Sequence, residues 1–314
     1  MYIVTTTISA PTKATKRFCL LAFQNNWKFV IVGDTKTPHD QYRVLENEYK
    51  NNVRYLHPED QEKLFPELSK ILGWKTIQRR NIGFAYAYKR GAEIIASVDD
   101  DNIPYDNWGQ DLIVGKKVMI DVYKPKYTSV FDPFSITNHK ELWHRGFPIQ
   151  ELALKNEIDY LGKQYRFIGV QADFWDGDPD LDAICRLTKK PLVKFDKFEP
   201  FTGYPHASPF NSQNTFVHRS MFPKYSVWPG VGRMDDIWAG YYAQATVEEK
   251  AIAYCSASVY QERNPQDLVT NLENECLGYR HTHGIASCLW HAEYDCIPDI
   301  TREFIKEYEK HFDT

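Results

Sequence analysis

Between residues 2 and 98, short apolar runs alternate with stretches of helical character, and this rhythm restricts the fold more than any other feature of the chain. Tyr2 to Thr7 (YIVTTT) reads as a strand, Thr12 to Asn25 as an amphipathic helix, and Phe29 to Val32 (FVIV) as a second strand closed by Gly33-Asp34. Val53 to Leu56 is a short third run. Pro58 to Leu72 is predicted to be helix, bent or split at Pro66, because a proline ring cannot follow a helix interior. Arg80 to Gly91 reads as a helix whose small residues (Ala85, Ala87, Gly91) permit close packing, and it feeds Glu93 to Val98 (EIIASV), a buried strand. Strands and helices in this order fold into an α/β domain with a mostly parallel sheet covered on both faces.

Beyond Pro104 the pieces are shorter and richer in aromatics and Pro, with strands expected near 117–123, 167–171 and 253–260 and helices at 179–189, 235–249 and 299–311. No repeat or linker interrupts the chain, so residues 1–314 are expected to form one domain, with a doubly wound half over 1–104 and a second half over 105–314. At 43% hydrophobic and 15% aromatic residues a large core is available, which excludes a disordered chain. The 38 basic and 42 acidic side chains carry no long basic block, so no nucleic-acid partner is expected. No run approaches the roughly 20 apolar residues of a membrane span and no leader pattern opens the chain; the expectation is a cytoplasmic protein without an integral membrane segment. The six cysteines lack a CxxC pair and are expected to be reduced thiols. His281, His283, Cys288, His291 and Cys296 match no closed zinc site.

In open α/β sheets the ligand crevice lies beyond the carboxyl ends of the strands, and there stand Asp99, Asp100 and Asp101. Adjacent carboxylates repel one another unless solvated or bridged by a cation, so two readings fit: a solvated acidic turn, or an oxygen-only site for Mn or Mg completed by phosphates. A calcium loop does not fit, since no glycine stands sixth from Asp99. Just upstream, Arg79-Arg80-Asn81-Ile82-Gly83 opens a helix whose N-terminus and basic pair can face the same anion as the metal.

A helix opening with RN-x-G, followed by a strand ending in an Asp triplet, resembles the glycosyltransferase A-type fold. Arg145-Gly146-Phe147-Pro148, Gly177-Asp178-Pro179-Asp180-Leu181-Asp182-Ala183, Asn211-Ser212-Gln213-Asn214 and Asp235-Asp236-Ile237-Trp238-Ala239-Gly240 resemble elements of the STELLO family of plant glycosyltransferase-like proteins. The RGFP, PD-x-DA and DD-x-WAG elements are also similar to the reversibly glycosylated polypeptides, which act as UDP-arabinopyranose mutases. The resemblance implies a nucleotide-binding half over 1–104, a sugar and acceptor half over 105–314, and a metal-dependent transferase moving a sugar from a UDP-linked donor to a glycan or other hydroxyl acceptor. A UDP-sugar mutase and a catalytically silent nucleotide-sugar-binding scaffold are the alternatives. STELLO proteins carry a membrane anchor that has no counterpart in this sequence, so Golgi residence does not carry over.

On that footing Asp99 and Asp101 would hold Mn or Mg. Gln261, in Tyr260-Gln261-Glu262-Arg263-Asn264-Pro265, stands where the mutase-like polypeptides carry a His, as the third ligand. Arg80, Asn81 and Asp100 fall to the diphosphate; Thr5, Thr6 and Asp34 fall to base and ribose, although both threonines equally suit a plain strand. Arg145 is either a substrate residue or a buried cap of the turn at Pro148. Asp178, Asp180 and Asp182 either stabilise a helix start, with Pro179 in its first turn, or bind sugar hydroxyls with Asn214. Gly230 to Arg233 reads as a flexible turn, after which Asp235 and Asp236 open a helix. Asp236 is the preferred catalytic base, Asp235 its partner, and Trp238 either a wall for the sugar or a core residue.

Overall fold

The computed structural model describes residues 1–312 except 205–206, 248–249, 264–265 and 292. In chain order it comprises β1 (Tyr2–Thr7), α1 (Lys13–Gln24), β2 (Lys28–Gly33), α2 (His39–Tyr49), β3 (Val53–Leu56), α3 (Pro58–Leu64), α4 (Pro66–Leu72), α5 (Arg80–Lys89) and β4 (Ile94–Val98). There follow β5 (Asn102–Pro104), β6 (Lys117–Pro125), β7 (Ile158–Gly177), α6 (Ala183–Lys189), β8 (Phe201–Gly203), β9 (Asn214–His218), α7 (Asp235–Thr246), β10 (Lys250–Gln261), α8 (Leu268–Trp290) and α9 (Asp299–Glu309).

The strands form one sheet in the order β3-β2-β1-β4-β9-β7-β6-β8-β10-β5, with β7 also paired to β10. The first four run parallel, as the alternating rhythm implies. From β4 onward every step across β9 and β7 to β6 is antiparallel. The α/β class therefore holds, but the sheet is mixed and not mostly parallel. Hydrophobic periodicity reports that a strand is buried and says nothing of its direction, and here a segment more than a hundred residues downstream of β4 returns to pair beside it.

Local chemistry explains most boundaries. Thr12 caps α1 by accepting from the Thr15 N–H at 3.0 Å. Pro58 and Pro66 each open a helix, so the predicted 58–72 helix splits at Phe65. Gly83 is the small residue that lets α5 lie on the sheet: a Cβ there would fall 2.4 Å from Val4 Cγ1 and 2.8 Å from Val32 Cγ2. Gly91 plays no packing part and ends the helix region at φ +80°. One core cluster lies on the face covered by α5, α7 and α9 and the other under α1 and α2, around Trp108.

Three expectations change. Helix α6 starts at Ala183, not Pro179, because Asp182 accepts from the Cys185 N–H at 2.9 Å and fixes the start. Cys288 and Cys296 form a disulfide, whereas Cys19, Cys185, Cys255 and Cys276 are free; the turn after α8 brings together two residues whose spacing carries no signal. The 235–249 helix ends at Thr246, and residues 248–249, like Asn264-Pro265 of the late motif, lie outside the described residues. Among the described residues no helix is long and apolar enough to cross a membrane.

Candidate active site

Sheet register builds the site. Immediately after the aspartates, β5 pairs antiparallel with the end of β10, setting Gln261 opposite Asn102, and the Glu262 N–H donates to the Asp101 carbonyl at 3.1 Å. On the other side the Asp99 N–H donates to the Gln213 carbonyl at 3.1 Å, joining the end of β4 to the element that leads into β9. Asp99, Asp101, Gln213 and Gln261 thus border one cleft of about 620 Å³.

Several buried polar atoms in this corner lack a hydrogen-bond partner: Asp101 Oδ1, Gln213 Oε1 and both amide atoms of Gln261, whose residue is 1% exposed. Buried polar atoms left unsatisfied cost free energy, and among the described residues these share the lining of one cleft. Burial, and then the charge of Asp99, push the Asp101 carboxyl up to about 7, while Arg263 pulls it down. Among the described residues no group of three or more His, Cys, Asp or Glu side chains converges as a metal cluster.

Asp100 turns away from this corner. Its carboxylate accepts from Thr7 Oγ1 at 2.6 Å and its carbonyl from Thr12 Oγ1, so the middle aspartate ties β4 to β1 and α1. Arg80 is fully buried. Its guanidinium donates to the Ser212 carbonyl at 2.8 Å and ion-pairs with Asp99, so it orients a carboxylate of the cleft from behind and does not reach into the cavity.

A set of guanidiniums lines the same cleft. Arg145 donates from Nη2 to Asp180 Oδ2 at 2.9 Å and ion-pairs with Asp236 Oδ1 at 3.1 Å. Arg233 and Arg263 approach Asp180 Oδ1 at 3.5 and 3.4 Å. Burial opposes the Asp180 charge, but Arg145, Arg263 and Arg233 outweigh it and hold the carboxyl well below the usual range. Burial likewise works against the Arg145 cation, and Asp180 and Asp236 more than offset it. Gly146 makes the turn possible: it sits at φ +90°, and a Cβ would strike Ile237 Cγ2 at 2.1 Å.

Asp235 and Asp236 both lie in the first turn of α7, and neither caps it. Asp236 accepts at Oδ2 from the Ser212 N–H at 2.9 Å and Ser212 Oγ at 3.1 Å besides its pair with Arg145. Asp235 accepts from Gln78 Nε2 at 2.7 Å and from the Asp236 N–H at 3.0 Å. Burial, and next the Asp236 charge, push the Asp235 carboxyl up to about 7. The two carboxylates of the pair thus differ in their partners: Asp236 is engaged by a guanidinium, and Asp235 by a neutral amide.

Other expected site residues lie elsewhere. Asn81 is buried, with its amide exchanging hydrogen bonds with the backbone of Val227 at 2.7 and 2.9 Å. Asn214 binds Trp108 Nε1 and the Phe174 carbonyl inside the sheet, at 2.9 and 3.1 Å. Trp238 is a core residue, 1% exposed, donating to Thr282 Oγ1 at 3.1 Å. Asp182 caps α6, and Asp178 pairs with Arg186 at 2.6 Å outside the cleft lining. Thr5 is enclosed within β1 and Thr6 is half-buried at its end. Asp34 acts at one remove: its carboxylate accepts from the Lys75 and Thr76 N–H groups at 2.7 and 3.2 Å, pinning a cleft wall where Lys75 takes φ +64°.

Sequence reasoning passed over Gln78, Lys75, Arg233 and Arg263, all of which line the cleft. Arg233 and Arg263 stood inside motifs already singled out, one before the acidic pair and one after Gln261, and their charge beside buried carboxylates was the available signal. Nothing in the sequence marks Gln78.

No family model matches the chain. It is similar to two Arabidopsis thaliana proteins named probable glycosyltransferases: STELLO1, 24% identical over 270 residues, covering 79% of this chain and 33% of that protein, and STELLO2, 24% identical over 271 residues, covering 79% and 34%. The resemblance read from the motifs is borne out at low identity, and this chain spans about a third of the length of the relatives it matches.

Proposed function

We propose that this chain is a glycosyltransferase that takes a sugar from a nucleoside-diphosphate donor, UDP-linked, and passes it to a hydroxyl acceptor. The observation that carries the reading is a single cleft whose lining joins the unpartnered oxygens of Asp101, Gln213 and Gln261 to Arg233, Arg263 and Asp235. The similarity to proteins named glycosyltransferases supports it.

Asp99, Asp101 and the Gln261 amide oxygen would hold Mn or Mg. The set fits: two carboxylates and an amide oxygen offer hard ligands and leave positions for phosphate oxygens, and the orphaned Asp101 Oδ1 and Gln261 Oε1 gain a partner. Bound there, the cation would neutralise charge developing on the departing diphosphate. With Arg80 engaged behind Asp99, the cleft-lining cations that would meet the phosphates are Lys75, Arg233, which also pairs with Asp180 and Glu275, and Arg263, which also pairs with Asp180 and Asp178. Asp235 accepts the proton of the acceptor hydroxyl as that oxygen bonds to the anomeric carbon. The bond from that carbon to the diphosphate oxygen breaks, and its electron pair leaves with the nucleoside diphosphate.

The ring-form mutase reading, which would use Arg145 of the RGFP element as a substrate residue, loses ground there: its side chain is 7% exposed and clamped between Asp180 and Asp236. The test is a panel of nucleotide-sugars scored for thermal stabilisation with and without Mn, followed by UDP release from any donor that binds. Selective, Mn-dependent stabilisation with UDP release supports the transferase. Ring-form exchange with UDP retained would establish the mutase, and binding without turnover a silent scaffold.

A further inference from the structure

A second cavity of about 930 Å³, larger than the cleft, opens where the starts of β6 and β10, the end of α7 and the last turn of α8 meet. It shares no lining residue with the cleft. The two lie at opposite ends of β10, which begins at Lys250 in the second cavity and ends at Gln261 in the first.

Its walls combine two chemistries. Tyr165, Tyr204 and Trp290 are 61%, 41% and 43% exposed, in a chain that encloses Trp108, Trp228 and Trp238 completely. Between these rings stand Lys117, Arg166 and Lys250, and no described lining residue carries a carboxylate. The described lysine ion pairs involve Lys13, Lys126, Lys155, Lys224 and Lys310, leaving Lys117 and Lys250 without a carboxylate partner among the described residues. Among the described residues Arg166 reaches only the Gln164 side chain, at 2.6 Å, lies over the Tyr204 ring at 4.1 Å, and keeps a buried Nε with no partner.

Exposed aromatic faces in a concave site offer apolar walls to flat, weakly polar surfaces such as the C–H faces of pyranose rings. Cations with no carboxylate partner among the described residues, set beside such rings, favour an anion, carboxylate above all where a guanidinium presents its fork. A ligand that uses both is ringed, hydroxylated and acidic. We propose that this groove is a second ligand site, separate from the catalytic cleft, that takes a uronate-bearing oligosaccharide on the Tyr165, Tyr204 and Trp290 rings with its carboxylates on Lys117, Arg166 and Lys250.

The test is calorimetric titration with galacturonate oligomers, with the same oligomers methyl-esterified to remove their charge, and with ATP as an anion of different class. The acidic oligomer binds, the ester binds at least tenfold more weakly, and saturating UDP with Mn does not displace it. Trp290→Ala and the Lys117→Ala/Lys250→Ala pair each weaken binding tenfold or more while leaving UDP affinity unchanged. Tyr165→Ala, at the most exposed ring, repeats the loss should Trp290→Ala disturb folding. Absence of oligomer binding, equal affinity for the ester, displacement by UDP, tighter binding of ATP than of the oligomer, or indifference to both ring substitutions would overturn the proposal.

Discussion

Gln78 Nε2 donates to Asp235 Oδ2 at 2.7 Å, joining the loop before α5 to the first turn of α7 across 157 residues of chain. This contact leaves Asp235 with one side-chain partner, a neutral one, whereas its neighbour Asp236 carries the Arg145 guanidinium. The difference separates the roles of two carboxylates that look alike in sequence.

Asp235→Asn is therefore expected to lower turnover about 10²–10⁴-fold with donor affinity little changed, the range removed with a general base. Asp236→Asn leaves Arg145 less compensated and is expected to reduce donor affinity and melting temperature together. Turnover and UDP affinity measured on both variants check the assignment; a full-rate Asp235→Asn enzyme would return the base to Asp236.

Turnover should rise with pH through about 7, as Asp235 loses its proton. Stability runs the other way. The folded carboxyl titrates above its ordinary value of about 3.9, so between about 4 and 7 the folded state holds a proton that the unfolded chain has released. This stabilisation is present at acid pH and is lost as pH rises through the folded pKa. Asp235→Asn removes the penalty, so the variant should melt higher than wild type at pH 8 and no higher at pH 4, which a pair of thermal scans will show.

Arg263 lines the cleft and is proposed for the phosphate contact that the sequence suggests for Arg80, which lies behind Asp99. Arg263→Ala should weaken UDP binding about tenfold while leaving uridine binding unchanged, the loss of one charge-assisted contact to phosphate. Arg80→Ala should instead cost about 3–5 kcal/mol of stability, because it strands Asp99 without its buried partner. Denaturant titration and parallel UDP and uridine calorimetry distinguish the two. Equal loss of UDP and uridine affinity in Arg263→Ala would remove it from the phosphate site.

Asn214→Ala and Trp238→Ala should lower stability, the second by about 3–5 kcal/mol as a buried aromatic truncation does, with turnover per folded molecule preserved. A folded variant of either with lost donor affinity would contradict their placement outside the cleft.

What the sequence made legible was the strand-end chemistry. A polar triplet after a buried strand locates the crevice of an α/β sheet without further information, and Asp99, Asp101 and Gln261 do meet there. Distinctions within that chemistry depended on register and burial. Whether Asp100 faces the cleft or Thr7, and whether Arg80 meets a ligand or Asp99, turns on side-chain direction over one or two residues, which motif spacing does not encode. Helix α8 escaped detection because its buried positions include Glu275, Gly278 and Thr282, so the helical period is present and the apolar signal is not. The antiparallel strands beyond β4 escaped because direction follows from the path of the chain between them.

Asp99, Asp101 and Gln261 are proposed to form a cation-dependent diphosphate site, and calorimetry of UDP binding with and without Mn, on wild type and on Asp101→Ala, decides it. Mn is expected to strengthen UDP binding to the wild-type protein at least tenfold, about 1.4 kcal/mol or more, and Asp101→Ala to abolish this increment while the protein stays folded. UDP binding by Asp101→Ala with wild-type affinity and an unchanged response to Mn would contradict it.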